Sequence, residues 1–238
     1  MPCSRAALLA PMPFLSPHRL WITLTAIALA SASSAQELVS FPTQDGGIVY
    51  ADLYGKGDSG VVLAHGGPFN KASWEKQARI LEQAGFRVLA IDFRGRGQSR
   101  GGPLLPAGDD GYHFDVLAAV RYLRRNGAKT VSAVGASFGG GAAAEASMKA
   151  PGEIERLVLL AASTDNPERL QGRKLFIVAR DDANADGLRL PGIRACYEKT
   201  PGPKDLIVLQ GSAHAQYLFK TDEGDRVMRE ILKFLTAP

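Results

Sequence analysis

The sequence predicts an α/β protein built on one mostly parallel, doubly wound sheet. Short continuous apolar runs, typical of strands buried on both faces, alternate along the chain with stretches that carry a helical apolar stripe. The length of 238 residues suits one such domain. Strands are expected at residues 37–42, 47–54, 61–64, 86–91, 131–134, 154–161, 174–179 and 206–209, and helices at 73–83, 112–126, 140–149, 186–199 and 222–235.

Turn and cap residues justify the ends of these elements. A Gln-Asp-Gly-Gly turn at residues 44–47 joins the first two strands as a hairpin. Ser73 is a candidate N-cap for the first helix, and Gly127 ends the second. Pro191 and Gly192 interrupt the pattern of the fourth helix, so its continuity is open.

The first 35 residues have the pattern of a signal peptide rather than of folded structure. Arg19 precedes an apolar core at residues 20–30, and small residues lead to Ala35. Cleavage there would leave a domain at residues 36–238, exported to the periplasm or secreted, with no stable membrane anchor. An uncleaved anchor is the competing interpretation, and translation from Met12 is also open.

The charge of the chain bears on its binding partners, and its cysteine content bears on disulfide formation. The formal net charge is +4, and without the two leader arginines 26 basic residues face 24 acidic ones. No basic stripe with interleaved aromatic residues is present, so nucleic acid is not expected as a partner. Cys196 is left alone once the leader is removed, so we expect a free, buried thiol. The oligomeric state is not readable from the sequence.

The most informative stretch is Gly-Ala-Ser-Phe-Gly at residues 135–139, between a predicted strand and a predicted helix. This order matches the nucleophile elbow, a tight turn that presents a serine hydroxyl clear of the sheet edge. We expect Ser137 in a strained backbone conformation, with glycines where side chains would collide. The alternative is a glycine- and alanine-rich turn that happens to contain a serine.

A serine nucleophile needs a base to take its proton, and His214 is the candidate. It follows the last predicted strand, at the sheet edge where sites gather in this class of fold. Two other histidines follow the leader. His65 ends a strand and is expected to hold the adjacent loop by hydrogen bonds, whereas His113 is expected to be exposed.

The third member of such a triad is an acid that orients the histidine. Asp181 and Asp182 both follow the strand at 174–179, and we choose Asp182 with Asp181 as the alternate. Asp165 and Asp186 are possible but lie on a short connection and at a helix start.

Two backbone amides should stabilise the oxyanion of a tetrahedral intermediate. Phe138 follows the nucleophile directly and is expected to supply one. The other should come from the His-Gly-Gly-Pro loop at residues 65–68, where Gly67 is favoured over Gly66. Pro68 has no amide hydrogen to donate.

Taken together, these motifs resemble the α/β-hydrolase superfamily. The match covers nearly all of the chain after the leader, and includes the Asp-x-Arg-Gly-x-Gly-x-Ser segment at 92–99. The resemblance is closest to small dienelactone-hydrolase-like and serine-aminopeptidase-like esterases. It implies an eight-stranded, mostly parallel sheet with helices on both faces and a Ser-Asp-His triad. Arg96 stands where many relatives have histidine, and Ala179 stands where glycine is usual before the acid. Ser137 stands where a true dienelactone hydrolase has cysteine.

The function predicted is hydrolysis of small carboxylic esters through an acyl-enzyme, with no metal or organic cofactor. Only residues 162–173 are available where many relatives insert a helical lid, so we expect no substantial cap domain and an open site. Arg94, Arg96 and Arg100 are expected to be solvated or structural, with attraction of an anionic substrate as an alternative. A peptidase or amidase, and a non-catalytic binding protein that retains the fold, are the rival functions.

Overall fold

The computed structural model describes residue 1, residues 36–105 and residues 107–238. The predicted leader, apart from Met1, lies outside the described residues. The strands are β1 (Glu37–Pro42), β2 (Ile48–Tyr54), β3 (Ser59–Ala64), β4 (Arg87–Ile91), β5 (Thr130–Ala136), β6 (Arg156–Leu160), β7 (Arg173–Ala179), β8 (Ala183–Asn184), β9 (Gly187–Leu188) and β10 (Lys204–Leu209). The α-helices are α1 (Glu75–Gln83), α2 (Tyr112–Arg125), α3 (Phe138–Lys149), α4 (Arg189–Lys199) and α5 (Gly224–Thr236).

One sheet of eight strands organises the fold, in the order β1-β2-β4-β3-β5-β6-β7-β10. β1, β2 and β4 pair antiparallel, and every pairing from β4 through to β10 is parallel. The expected eight-stranded, mostly parallel sheet is therefore confirmed. The parallel strands all end at one edge, and the loops of the candidate site leave from that edge.

Burial of the strands explains why their sequences are apolar runs. All five residues of β6 are buried, as are all but the first residue of β3, β5 and β7. A strand covered on both faces needs apolar side chains at every position, not at alternate ones. β1, at the sheet's edge, alternates between buried and exposed positions, as a half-covered antiparallel strand does.

Several boundaries differ from the predictions for physical reasons. α4 is continuous through Pro191, because proline in a first turn lacks only an amide hydrogen that has no helical acceptor. The small β8–β9 hairpin was not predicted. Ser73 is not an N-cap: it lies within a 3₁₀ turn, Lys71–Trp74, whose N-cap is Asn70.

The connection between β6 and β7 contains only a 3₁₀ turn, Pro167–Arg169, so the absence of a substantial cap domain is confirmed. Cys196 is free and buried, as expected. Within the described ranges, no helix combines the length and the apolar character needed to cross a bilayer.

Candidate active site

Ser137 occupies a strained turn between β5 and α3. Its φ of 49° and ψ of −113° lie outside the conformations that residues with a side chain usually adopt. A Cβ atom at Gly139 would lie 2.4 Å from the carbonyl oxygen of Ala64, and one at Gly135 would lie 2.4 Å from that of Gly139. No side chain fits at such distances, so the glycines let the turn pack directly on the neighbouring strand.

A hydrogen-bonded chain links the three side chains predicted to form a triad. The hydroxyl of Ser137 donates to Nε2 of His214 at 2.8 Å, and Nδ1 of His214 donates to Oδ2 of Asp182 at 2.7 Å. The side chain of Asp182 is 1% exposed and that of His214 is 29% exposed. The imidazole therefore reaches solvent while its carboxylate partner does not.

The structure distinguishes between the two adjacent acids. Asp182 turns its carboxylate inward to His214, whereas Asp181 is exposed and its amide donates to the carbonyl oxygen of Gly211 at 2.9 Å. The other oxygen of Asp182, Oδ1, lies 3.4 Å from Nε of Arg189. That arginine was not anticipated from the sequence. Asp165 and Asp186 are exposed, and neither hydrogen-bonds to His214.

The glycine loop after β3 offers one free amide and one that is occupied. The amide of Gly66 donates to Oε1 of Gln216 at 2.7 Å. Within the described part of the chain, the amide of Gly67 has no acceptor. Phe138 is the first residue of α3, so its amide has no helical acceptor either. The free pair is the one expected from the sequence.

His65 holds this loop as a neutral ring. Its Nδ1 donates to the carbonyl oxygen of Gly66 at 2.8 Å, and its Nε2 accepts from the amide of Phe93 at 3.3 Å. Burial of the ring lowers the pKa of His65 below its usual value of 6.5. One nitrogen donates and the other accepts, which is the pattern of a neutral imidazole. The expected role in holding the loop agrees with these contacts.

Gln216 connects the loop that carries His214 with the glycine loop, and sequence reasoning missed it. It is buried; its Oε1 accepts from Gly66, and its Nε2 donates to Oγ of Ser73 at 2.7 Å. A side-chain amide both donates and accepts, so it can join two loops in this way. Its position two residues after the candidate base was the only signal in the sequence.

His113 corrects a prediction, because it is buried and not exposed. Its side chain is 2% exposed and lies between Asp109 and Glu145. It begins α2 one residue inside the helix, where the ring turns inward and stacks near Phe114 with centroids 4.1 Å apart. The glycine-rich approach to the helix had suggested a solvated position.

The three arginines differ in role. Arg94 is 8% exposed and pairs with two fully buried carboxylates, at 2.8 Å from Asp45 and 2.7 Å from Asp115. Its role is structural, one of the two expected. Arg96 donates to the carbonyl oxygen of Gly67, and the backbone of Arg100 pairs with that of Ile48.

Burial alone would raise the pKa of Asp45, but hydrogen bonds from Arg94, Thr43 and Gly102 hold it at about 2. Burial also raises the pKa of Asp115, only partly offset by Arg94. Internal hydrogen bonds, not contact with water, therefore stabilise the negative charge of Asp45.

Aromatic rings stand beside the serine. Phe138 is 37% exposed and packs edge-on against Tyr112, with centroids 4.4 Å apart. Both rings line a cavity of about 630 Å³. Trp74 does not line this cavity, because it is only 1% exposed and packs against Phe219.

Comparison with known proteins identifies the family. A family model described as "alpha/beta hydrolase fold" matches residues 61–196. The chain belongs to the α/β-hydrolase fold family. The resemblance drawn from the motifs is confirmed at this level.

Curated relatives share about a third of their residues with the matched part. The non-heme chloroperoxidase of Streptomyces lividans is 33% identical over 150 residues, covering 62% of this chain and 49% of that protein. The bifunctional esterase/perhydrolase DCH of Acinetobacter calcoaceticus is 31% identical over 150 residues, covering 61% of this chain and 48% of that protein. The chain thus spans about half the length of these relatives.

Solved structures show the same fold at low identity. An esterase of Pyrococcus furiosus matches with a TM-score of 0.67 and 18% identity, over 84% of this chain and 93% of that one. A dienelactone hydrolase of Anabaena variabilis matches with a TM-score of 0.65 and 20% identity, over 84% of this chain and 96% of that one. At such identity the likeness establishes the fold alone.

Proposed function

We propose that this chain is a serine hydrolase that cleaves carboxylic esters through a Ser-His-Asp triad. The observation that carries the proposal is the hydrogen-bonded chain from Ser137 through His214 to Asp182, at 2.8 and 2.7 Å. Both lengths are within the usual range for hydrogen bonds between these atoms. The strained turn that presents the hydroxyl is a second, independent support.

The proposed reaction begins with proton transfer. As the oxygen of Ser137 attacks the acyl carbon, Nε2 of His214 accepts the hydroxyl proton, and the buried carboxylate of Asp182 stabilises the imidazolium. The oxyanion is stabilised by the amides of Gly67 and Phe138. His214 then gives its proton to the departing alkoxide, leaving an ester between the acyl group and Ser137. Attack by water, with the same base, releases the acid and restores the serine.

The choice of esters rests on the openness of the site and on the relatives. The short connection between β6 and β7 leaves the histidine 29% exposed, so a small or flexible acyl group can approach without a lid. The relative from Acinetobacter calcoaceticus is named an esterase/perhydrolase, and the structural neighbour from Pyrococcus furiosus is an esterase. A peptidase or amidase is the rival, and it would use the same triad.

The names of the relatives support a test for a second reaction, the formation of peroxy acids. Several are non-heme chloroperoxidases or haloperoxidases, and one is a perhydrolase. An acyl-enzyme can be attacked by hydrogen peroxide in place of water, which yields a peroxy acid instead of the acid. Peracid formation from a short-chain ester and peroxide would therefore extend the same mechanism without any new residue.

Replacement of the nucleophile is the decisive experiment. Ser137→Ala should lower turnover of p-nitrophenyl acetate by roughly 10⁶-fold, to background, with the melting temperature unchanged. A fluorophosphonate probe should label the wild type and the matched variant Ser163→Ala, which changes an exposed serine, but not Ser137→Ala. Turnover at the wild-type rate in Ser137→Ala would exclude Ser137 as nucleophile. Failure of the probe to label the wild type would favour a non-catalytic protein.

The substrate class is tested by parallel assays. A series of p-nitrophenyl esters from acetate to decanoate should show the highest kcat/KM at the short end, because no lid surrounds a long chain. An aminoacyl p-nitroanilide should be turned over far more slowly than acetate. The reverse preference would assign a peptidase.

Export is proposed from the leader alone. The protein recovered from periplasm or medium should begin at Gln36, as read by N-terminal sequencing or intact mass. A membrane-bound chain that retains residues 1–35 would contradict this proposal and leave the chemistry untouched.

A further inference from the structure

Three potential metal ligands meet at the edge of the cavity, apart from the triad. They come from three segments: Asp109 from the loop before α2, His113 from the first turn of α2, and Glu145 from α3. The Nδ1 atom of His113 lies 3.5 Å from Oδ1 of Asp109 and 3.4 Å from Oε1 of Glu145. All three ligand atoms lie within 4.8 Å of one another.

The histidine nitrogen is the observation that points to a ligand. The side chain of His113 is only 2% exposed, and its Nδ1 has no hydrogen-bond partner among the described residues. A buried polar atom without a partner is costly, and native structures rarely contain one without an ion or water to satisfy it. This nitrogen is directed toward two carboxylates that are 18% and 41% exposed, so a cation can enter from the cavity side.

We propose that Asp109, His113 and Glu145 bind a divalent cation of the zinc type. Zinc is held by histidine nitrogens and carboxylate oxygens at about 2.0–2.2 Å in a tetrahedral arrangement. Two ligands of a tetrahedron with bonds of that length are separated by roughly 3.3–3.5 Å, from the same geometry. The two separations that involve His113 match this value. Both carboxylates are partly exposed, so their side chains can adjust to complete the arrangement.

Charge favours a divalent ion here. Two carboxylates and a neutral imidazole carry a total charge of −2. Lys149 is a neighbouring cation: its Nζ is 3.8 Å from Oε1 of Glu145, and its side chain is 51% exposed. The competing arrangement is direct contact between His113 and the two carboxylates with no ion between them. The two arrangements differ in whether the protein binds zinc.

The ion would join the loop before α2 to the helix that begins after Ser137. Asp109, Glu145 and Phe138 line the same cavity of about 630 Å³, so the site borders the candidate active site without being part of it. Its role is to fix the wall of the cavity, and the hydrolytic steps proposed above do not use it.

The test is a calorimetric titration of untagged, chelator-treated protein with zinc chloride. The melting temperature is measured with and without zinc. The wild type should bind one equivalent and melt at a higher temperature with zinc than without it. Glu145→Gln and Asp109→Asn, which change partly exposed groups, should weaken binding by at least roughly 10–100-fold. The matched control Asp110→Asn, on the same cavity, should bind as the wild type does.

Two further variants separate this site from the triad and from a folding defect. His214→Ala should still bind one equivalent, because the triad histidine is not a ligand. His113→Gln should lose binding; if it does not fold, Glu145→Gln and Asp109→Asn decide the result. No zinc binding to the wild type, or equal binding by Glu145→Gln, would overturn the proposal. Loss of esterase activity in Ser137→Ala leaves it unaffected, so the two proposals fail separately.

Discussion

Two of the places where the structure buries a carboxylate beside a basic side chain differ in what the basic partner can do. Asp45 and Asp115 are buried against Arg94, which is always charged and itself 8% exposed. Asp182 is equally buried, but its partner is an imidazole that is 29% exposed and contacts a hydroxyl on its other side.

The difference separates a structural ion cluster from a site suited to proton transfer. Arg94 cannot release a proton, so it stays a cation beside its two carboxylates. An imidazole can accept a proton at Nε2 while the carboxylate holds Nδ1. Burial of the acid alone therefore does not show whether a site is structural or suited to proton transfer. The exposure and the chemistry of the basic partner distinguish the two. Four predictions test this comparison.

The largest effect is expected from Asp182→Asn. The amide cannot hold His214 in the tautomer that accepts the serine proton, so kcat for p-nitrophenyl acetate should fall by about 10⁴-fold. The matched change at the neighbouring exposed acid, Asp181→Asn, should leave kcat within a few-fold. Equal losses in the two variants would remove Asp182 from the proposed triad.

Arg94→Met should act on stability and not on chemistry. It leaves two buried carboxylates without their partner, and breaking a buried pair in this way costs about 3–5 kcal/mol in the free energy of unfolding. Urea denaturation measures the change. Arg226→Met, which breaks an exposed pair with Glu223, should cost at most about 1 kcal/mol. Similar costs for both variants would refute the structural role assigned to the Arg94 cluster.

Gln216→Leu should lower both the stability of the protein and its kcat. The buried amide of Gly66 loses its acceptor, which costs about 1–3 kcal/mol of stability. The glycine loop then loses its connection to the His214 loop, so kcat should fall while KM changes less. Gln216→Glu restores an acceptor for Gly66 and should recover part of the stability. A kcat unchanged in Gln216→Leu would show that the proposed oxyanion amides do not depend on this glutamine.

The smallest effect is expected on the stability of the protein at low pH. The folded pKa of Asp45 is about 2, below its unfolded value of 3.8, so its contribution is complete above 3.8 and is lost as the pH falls through 2. The amount is about 2 kcal/mol. Asp115, whose pKa is raised, acts in the opposite sense. The free energy of unfolding between pH 4 and 2 should therefore fall less steeply in Asp45→Asn than in the wild type, and identical slopes would contradict the assignment.

Much of the fold was predictable because its central strands are buried on both faces and their sequences are continuous apolar runs. The serine turn was predictable for a similar reason, since its glycines are demanded by backbone contacts. The residues missed were those whose role depends on contacts across the chain. The contacts of Gln216, Arg189 and His113 join segments that meet only after folding, and no local sequence pattern predicts them.

The glycine at 139 has a consequence for how this site can change. Its backbone rests against the last residue of β3 and the first residue of the glycine loop, with no room for a methyl group between them. The turn that carries Ser137 and the loop that carries Gly67 are therefore held together by direct main-chain contact. Under the proposed function, substitutions around the cavity would change which substrates enter, whereas the backbone would keep the serine oxygen and the amides at a fixed distance. Substrate selectivity would then change without any change in the catalytic geometry.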